Sequence, residues 1–347
     1  RAHVVTPTRG GPYADMLQQH GIPVTLLHKR FKFDPWTLLR LKRLLRKLQP
    51  DVLHTWLFAA NAYGRFAAGA NPPFPIIVSE RCVDTWKSGW QLKCDRLLTA
   101  RTTRLVGNSQ SVADFYRDQG FPADRLLVIP NGIDLPAPLT SQQRRDIRQE
   151  LGLSEHAHVI GYVGRLARQK RVDDLIWATE LVRHLQDDVH LVLIGDGPER
   201  DRLQQFARNT GLARIVHFLG QREDVARYWP AFDTFGLASD FEGQSNSLME
   251  AQSHGIPVVV SDIPPNRELI HQGETGYLVP VGDRAAFAQC FEKLFVDRDL
   301  AQRFATAGRA RLQCDFSLHR MISAYANLYR QVATPLPASP QSRRGTP

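Results

Sequence analysis

This sequence predicts an α/β fold built on two doubly wound parallel sheets, and three observations carry that reading. Strand-like and helix-like stretches alternate along almost the whole chain, the pattern of βα units whose crossover helices cover a parallel sheet. Val258, Val259 and Val260 form an unbroken β-branched run, as in a strand buried on both faces. The 347 residues exceed one ordinary domain and suit two. The expected division is 1–135 and 136–333. Residues 334–347 form a tail without the apolar content to fold, expected to be disordered.

The chain opens at Arg1 directly on AHVVT, a strand-like run. Gly10-Gly11 is a turn, Ala14 to His20 a short helix ended by Gly21, and Ile22 to Leu27 a strand. In TLLRLKRLLRKL, residues 37–48, the stripe of Leu38, Leu41, Leu45 and Leu48 predicts an amphipathic helix. Its other face carries Arg40, Lys42, Arg43, Arg46 and Lys47: a solvated surface of a crossover helix, or a contact for anionic lipid headgroups. PDVLHTW is then a strand, LFAANAYGRFAAGA a helix and PIIVSE a strand. Residues 91–104 read as a helix, TRLVGNSQSVADFYRDQG as strand and helix, and LLVIPNGID closes the first half.

A linker and a short polar helix occupy 136–156. HVIGYVGR is a strand ending in glycine, VDDLIWATELVRHL its helix and VHLVLIGDG the next strand. ERDRLQQFARNTG is helical, IVHFLG a strand, DVARYWPA a helix and FDTFGLA a strand. Then comes the most informative stretch: polar loop from Asp240 to Asn246, helix from Ser247 to His254, Gly255 and Pro257 to end it, and the valine strand. Three helices follow, and the last, FSLHRMISAYANLYRQV, is expected to pack back toward the first domain.

Composition narrows the class. No run of 18 apolar residues appears and no secretory signal opens the chain, so a cytoplasmic protein is expected. Four dispersed cysteines have no metal-ligand spacing and read as reduced thiols. Residues 1–135 hold 19 Lys/Arg against 10 Asp/Glu, while the remainder is balanced at 25 each. The whole excess of +9 therefore lies in the first half, which suits an anionic membrane surface or lipid carrier, or a basic surface with no partner; a nucleic-acid partner is not expected. No G-x-G-x-x-G follows a first strand, which disfavours a dinucleotide dehydrogenase.

The chemistry centres on Ala238–Ser261. Ser245, Asn246 and Ser247 surround a helix start, where unpaired N–H groups and the positive dipole end attract an anion. Glu242 and Glu250, eight positions apart, bracket it. Carboxylates suit hydroxyls rather than phosphate, so the layout fits a sugar nucleotide, anionic in the middle and hydroxylated at both ends. Gly164 and Arg165 end one strand and Lys170 stands in the loop after it, where open α/β sheets bind ligands. Arg165 can bridge two phosphate oxygens and Lys170 adds a point charge.

These segments resemble glycosyltransferase family 4, the retaining enzymes of the GT-B fold, over residues 3–333. The loop-helix-strand resembles the family's E-x7-E segment, and GYVGRLARQKR its G-R-x4-K element. IGDGPER and HFLG are similar to its G-x-G-P and F-x-G turns, DVLHTWLFAANAYGR to its H-T-H-x4-N-x2-G-R segment, and VGNSQSV and IPNGID to its N-S and N-G-x-D turns. The resemblance implies two Rossmann-like domains facing a cleft. It implies a sugar moved from a nucleoside-diphosphate sugar, UDP- or GDP-type, to an acceptor hydroxyl of a glycan or lipid-linked sugar in envelope synthesis. No cofactor and no metal are implied.

In the implied site Arg165 and Lys170 bind the donor diphosphate, Glu242 holds sugar hydroxyls and Glu250 takes the ribose. Gly164, Gly195, Gly197 and Leu219 frame the phosphates and base, and Asn108 and Asn131 line the cleft, although Asn131-Gly132 is also a good turn. His54 and Asn61 match the first-half segment, but Trp56 replaces the family's second histidine. His54 can touch a substrate hydroxyl or be a satisfied interior histidine. Where relatives place a histidine after PIIVS this chain has Glu80: either it contacts hydroxyls or the acceptor is handled differently. Relatives also begin with a strand and a glycine-rich loop, so a truncated start is expected, with two alternatives to transfer: a binding protein without turnover, or a sugar-nucleotide epimerase.

Overall fold

The computed structural model describes residues 1–31 and 33–333; the tail expected at 334–347 lies outside them. The chain divides into two compact units. The first comprises Arg1–Gly107, Ala113–Val128 and the chain from Ala324; the second comprises Asn108–Val112 and Ile129–Ser323.

The first unit runs β1 (Val4–Thr6), α1 (Pro12–Gln19), β2 (Val24–Leu26), α2 (Pro35–Leu48), β3 (Leu53–Trp56), α3 (Leu57–Ala68), β4 (Ile76–Glu80), α4 (Gly89–Leu98) and β5 (Arg104–Gly107). α5 (Gln110–Asp118) and β6 (Leu126–Val128) follow. Every strand pair is parallel: β1 with β2 in one sheet, and β3-β4-β5-β6 in another. β4 is buried along its whole length, which its apolar run Ile76-Ile77-Val78 anticipates. α2 is two residues longer than predicted because Asp34 caps it, accepting from the amides of Trp36 and Thr37, and Pro35 sits in its first turn.

The expected helix over 91–104 is shorter. α4 stops at Leu98 and a 3₁₀ turn covers Thr99–Arg101. The Thr99 and Thr102 hydroxyls donate to the carbonyls of Asp95 and Leu98, competing with continued helix, and β5 begins at Arg104.

The second unit holds α6 (Ser141–Glu150), β7 (His158–Val163), α7 (Val172–Val182), β8 (Val189–Ile194), α8 (Arg200–Asn209), β9 (Val216–Gly220), β10 (Thr234–Leu237) and α9 (Asn246–Ser253). β11 (Val258–Ser261), α10 (Pro264–Leu269), β12 (Tyr277–Val279), α11 (Arg284–Val296) and α12 (Arg298–Asp315) follow, and α13 (Leu318–Ala333), which ends the described chain, is grouped with the first unit from Ala324 on. DVARYWPA forms two 3₁₀ turns rather than a helix, since Pro230 has no N–H to continue one. Asp297 caps α12, accepting from the Leu300 amide.

The six strands are all parallel, in the order β12-β11-β10-β7-β8-β9. The winding starts at β7 and runs through β8 and β9 to one side, then through β10, β11 and β12 to the other. The reversal lies between β7 and β10, the place where doubly wound sheets leave a crevice at the strands' carboxyl ends. The core is continuous here: the interior of β7, all of β8 but the half-buried His190, and all of β10 and β11 are buried.

Candidate active site

The loop after β7 is held by its own backbone. The amides of Gly164 and Leu166 donate to the carbonyls of Ile194 and Asp196, each at 2.9 Å, and the buried Tyr162 hydroxyl donates to the Arg165 carbonyl at 2.9 Å. The Arg165 main chain is thus fixed while its side chain stands exposed, with no ion pair among the described residues. Gly195 explains the packing of the neighbouring loop. Its φ is +136°, and a Cβ there would lie 1.9 Å from the Gly164 carbonyl oxygen. A Cβ at Gly197 would likewise lie 2.3 Å from the Leu166 carbonyl oxygen. Leu219 is the extra residue where the β8–β9 register shifts between Leu193 and Ile194, so it has no paired residue across the ladder.

Lys170 leaves this loop and reaches the loop after β10. Its Nζ donates to Glu242 Oε1, although 72 residues separate the two. Ser239 Oγ donates to the same oxygen at 2.7 Å, and Ser239 is held in turn by Ser261, whose hydroxyl donates to its carbonyl at 2.6 Å. Glu242 is only 7% exposed, yet Oε2 has no protein partner among the described residues. The pair stands at the carboxyl ends of β7 and β10, at the winding reversal.

α9 starts beside it. Ser245 is its N-cap, its hydroxyl accepting from the Leu248 amide at 3.4 Å, so the helix begins one residue before the predicted Ser247. The amides of Asn246 and Ser247 occupy the first two helical positions, where no intrahelical acceptor exists. Asn131 anchors the loop: its amide donates to Gln244 Oε1 at 2.5 Å, and its Nδ2 to the Gln244 carbonyl at 3.2 Å and to Asn246 Oδ1 at 2.8 Å. Glu250 lies one turn on from Asn246. Burial pushes its carboxyl above the usual range, and no protein donor meets the carboxylate among the described residues.

Among the described residues no group of three or more His, Cys, Asp or Glu is placed to hold a metal ion. Ser239 and Gln244 escape sequence reading. The one signal, and for Ser239 alone, is a polar residue just past a fully buried strand, which many ordinary loops share.

The first-unit residues converge on the end of β4. His54 Nε2 and Nδ1 lie 2.7 Å from Ser79 Oγ and 2.8 Å from Tyr329 Oη, and burial pushes the imidazole down to about 4. Asn61, fully buried, donates to the Ser79 carbonyl at 3.1 Å. Gly64 is required where α3 lies on β3, since a Cβ would meet Thr55 Cγ2 at 2.5 Å. The Glu80 carboxylate turns inward: Lys87 Nζ lies 3.1 Å from it, 3.0 Å from Asp84 and 3.0 Å from Asp95, and Arg65 pairs with Asp95 at 2.6 Å. Burial raises the Glu80 carboxyl to about 7 against the pull of Lys87. Asn108 follows β5, 3% exposed, in the short segment grouped with the second unit.

Residues 143–311 match the family Glycosyl transferases group 1, and residues 1–136 match Glycosyltransferase Family 4. The chain belongs to the group 1, family 4 glycosyltransferases. This glycosyltransferase is 28% identical over 295 residues to the lipopolysaccharide core biosynthesis glycosyltransferase LpsE of Rhizobium meliloti, covering 84% of this chain and 78% of the relative. It is 28% identical over 290 residues to an Escherichia coli UDP-Gal:alpha-D-GlcNAc-diphosphoundecaprenol alpha-1,3-galactosyltransferase, covering 77% and 72%. Its fold is that of the GT-B glycosyltransferases, with two Rossmann-like units. The crystal structure of Anabaena HepE in complex with UDP-glucose superimposes with a TM-score of 0.86 at 23% identity, over 95% of this chain and 92% of that one.

Proposed function

We propose that this glycosyltransferase moves a sugar, with retention of anomeric configuration, from a UDP- or GDP-type nucleoside-diphosphate sugar to an acceptor hydroxyl in envelope polysaccharide or glycolipid synthesis. The observation that carries the reading is the Lys170–Glu242 pair at the winding reversal, next to a helix whose first two amides are free. HepE is named with UDP-glucose, and the Escherichia coli relative with UDP-Gal and a diphosphoundecaprenol acceptor, which favours a UDP sugar and a lipid-linked glycan.

Each residue has a task in this reading. The diphosphate lies over the amides of Asn246 and Ser247, between Arg165 and Lys170. As the anomeric bond breaks, these groups meet the developing negative charge on the leaving phosphate without reorganising. Lys170 then exchanges part of its contact with Glu242 for a phosphate oxygen, and Glu242 turns to sugar hydroxyls and the cationic ring. Glu250 accepts from the ribose hydroxyls, the first protein-side hydrogen bonds its carboxylate makes. Gly164, Gly195, Gly197 and the bulged Leu219 frame phosphates and base. The departing phosphate oxygen takes the acceptor's proton, so no separate base is assigned. Asn108 and Asn131 keep their loops in place for substrate, and His54, Asn61 and Glu80 shape the acceptor side.

Two measurements test this. Glu250→Ala weakens nucleotide diphosphate binding by about tenfold or more in titration calorimetry, since a hydrogen bond to a charged group is worth about 1.5–3 kcal/mol; unchanged affinity removes Glu250 from the ribose. Transfer proceeds at full rate in EDTA, because cationic side chains and helix amides do the neutralising; a strict Mg²⁺ requirement overturns that part. Product analysis with and without acceptor separates transfer from epimerisation or mere binding.

No helix of the described residues is long and apolar enough to cross a membrane. The proposed location is cytoplasmic, peripheral at the inner face of the membrane that carries the lipid-linked acceptor, with the basic first unit toward it.

A further inference from the structure

We infer that the start of α2 and the exposed face of α4 form a docking surface for an anionic lipid bilayer. The inference deepens the peripheral placement proposed above and rests on it for its biological sense. Phe31 and Phe33, just before α2, are 70% and 66% exposed, and Trp36 in its first turn is 67% exposed. Leu39, one turn on, is also exposed. Large apolar side chains at such exposure, clustered in nine residues, need a partner that single exposed hydrophobics do not.

The cluster is built rather than loose. Asp34, buried, accepts from the amides of Arg30, Trp36 and Thr37 and from the Thr37 hydroxyl, and its own amide donates to Tyr63 Oη at 2.7 Å. This pins the turn that presents the two phenylalanines. Phe33 meets Trp90 of α4 with ring centroids 5.4 Å apart, and Trp90 meets Phe58 at 5.8 Å, so the patch continues onto a second helix.

Charge selects the partner. α2 contains no acidic residue, and Lys42, Arg43, Arg46 and Lys47 are exposed on it without ion pairs among the described residues. On α4, Trp90, Lys93 and Leu97 are exposed together on one face. Aromatic side chains at one end and unpaired cations beside them match an interface of acyl chains below and anionic headgroups above. A second copy of the chain would bring the same cations face to face, which disfavours self-association through this patch.

The test uses the whole protein and vesicles of zwitterionic phosphatidylcholine with or without 30% phosphatidylglycerol as the probe, in about 0.1 M salt. We expect flotation with the anionic vesicles at least tenfold above the neutral ones. Phe33→Ser with Trp36→Ser, and separately Arg43→Glu with Arg46→Glu, each lower it about tenfold or more. Because the charge pair lies on an exposed helix face, it keeps the test open if the aromatic variant folds poorly. Donor turnover in free solution stays at the wild-type value in the charge variant. Equal flotation of wild type and charge variant overturns the proposal, as does a dimer in sedimentation that the aromatic variant dissolves. A wild type that binds vesicles but neither binds nor turns over any sugar nucleotide leaves the docking surface standing and removes the transfer reading.

Discussion

Arg165→Ala is expected to lower turnover by about a hundredfold to a thousandfold, the usual cost of losing one preorganised group aimed at developing charge. KM for the sugar nucleotide is expected to move only a few-fold. The physical reason is the arrangement around it. The Arg165 main chain is clamped by Tyr162 and by neighbouring strand ends, while the guanidinium is exposed and without an ion pair among the described residues. In the transition state the phosphate carries more charge than in the ground state, so the guanidinium gains most there. Steady-state kinetics with a saturating acceptor check this. Equal losses in kcat and in donor affinity would mean that Arg165 binds donor and transition state alike. Lys170→Ala is expected to behave differently, because Lys170 also holds Glu242. Removing it frees the carboxylate as well as subtracting a cation, so both kcat and KM change.

Lys87→Met is expected to destabilise the protein by about 3–5 kcal/mol at neutral pH, the typical cost of breaking a buried charge cluster from one side. Lys87 is 6% exposed and contacts Glu80, Asp84 and Asp95, and the Tyr116 hydroxyl lies 2.5 Å from its Nζ. Burial disfavours its charge, but the three carboxylates outweigh that and raise its pKa. Without it, three acidic groups face only Arg65, which already pairs with Asp95. The pH dependence has a definite sign. The Glu80 carboxyl rises from the ordinary 4.5 to about 7, so its contribution to stability is present below about 4.5 and lost as pH rises through about 7. Removing Lys87 raises the carboxylates further. The deficit of the variant is therefore larger at pH 8 than at pH 5.5. Denaturant melts at the two pH values measure it, and a deficit under about 1 kcal/mol, or one flat with pH, refutes the buried cluster as a net stabiliser. A cavity of about 20 Å³ lined by Glu80, Asp95, Arg65 and Tyr116 lies beside the cluster, enough for one water.

Local chemistry was legible wherever a few adjacent residues settle it. The start of α9 was legible to within one residue from Ser245 to Ser247, and the buried β11 from its valines, whereas the clash that a Cβ at Gly195 would make was not. The division into two α/β units was legible too, since βα alternation and length imply it. The helix end at Leu98 was not, because threonine hydroxyls compete with the backbone in a way that composition alone does not rank. Nor was the turn structure around Pro230, where an apolar stretch reads as helix until the missing N–H is counted.

What the sequence by itself determined is which groups are available: two glutamates eight apart, an Arg and a Lys after a strand, a helix start rich in hydroxyls. Tertiary structure alone decided who meets whom. Strand order put β7 beside β10, and so put Lys170 on Glu242 across 72 residues. The same kind of decision sent Glu80 inward to Lys87 and brought His54 and Asn61 together on Ser79. Side-chain type and spacing are properties of short segments, whereas these contacts depend on sheet order and on which face of each strand is buried. Those are settled by the packing of the whole unit, which no local stretch encodes.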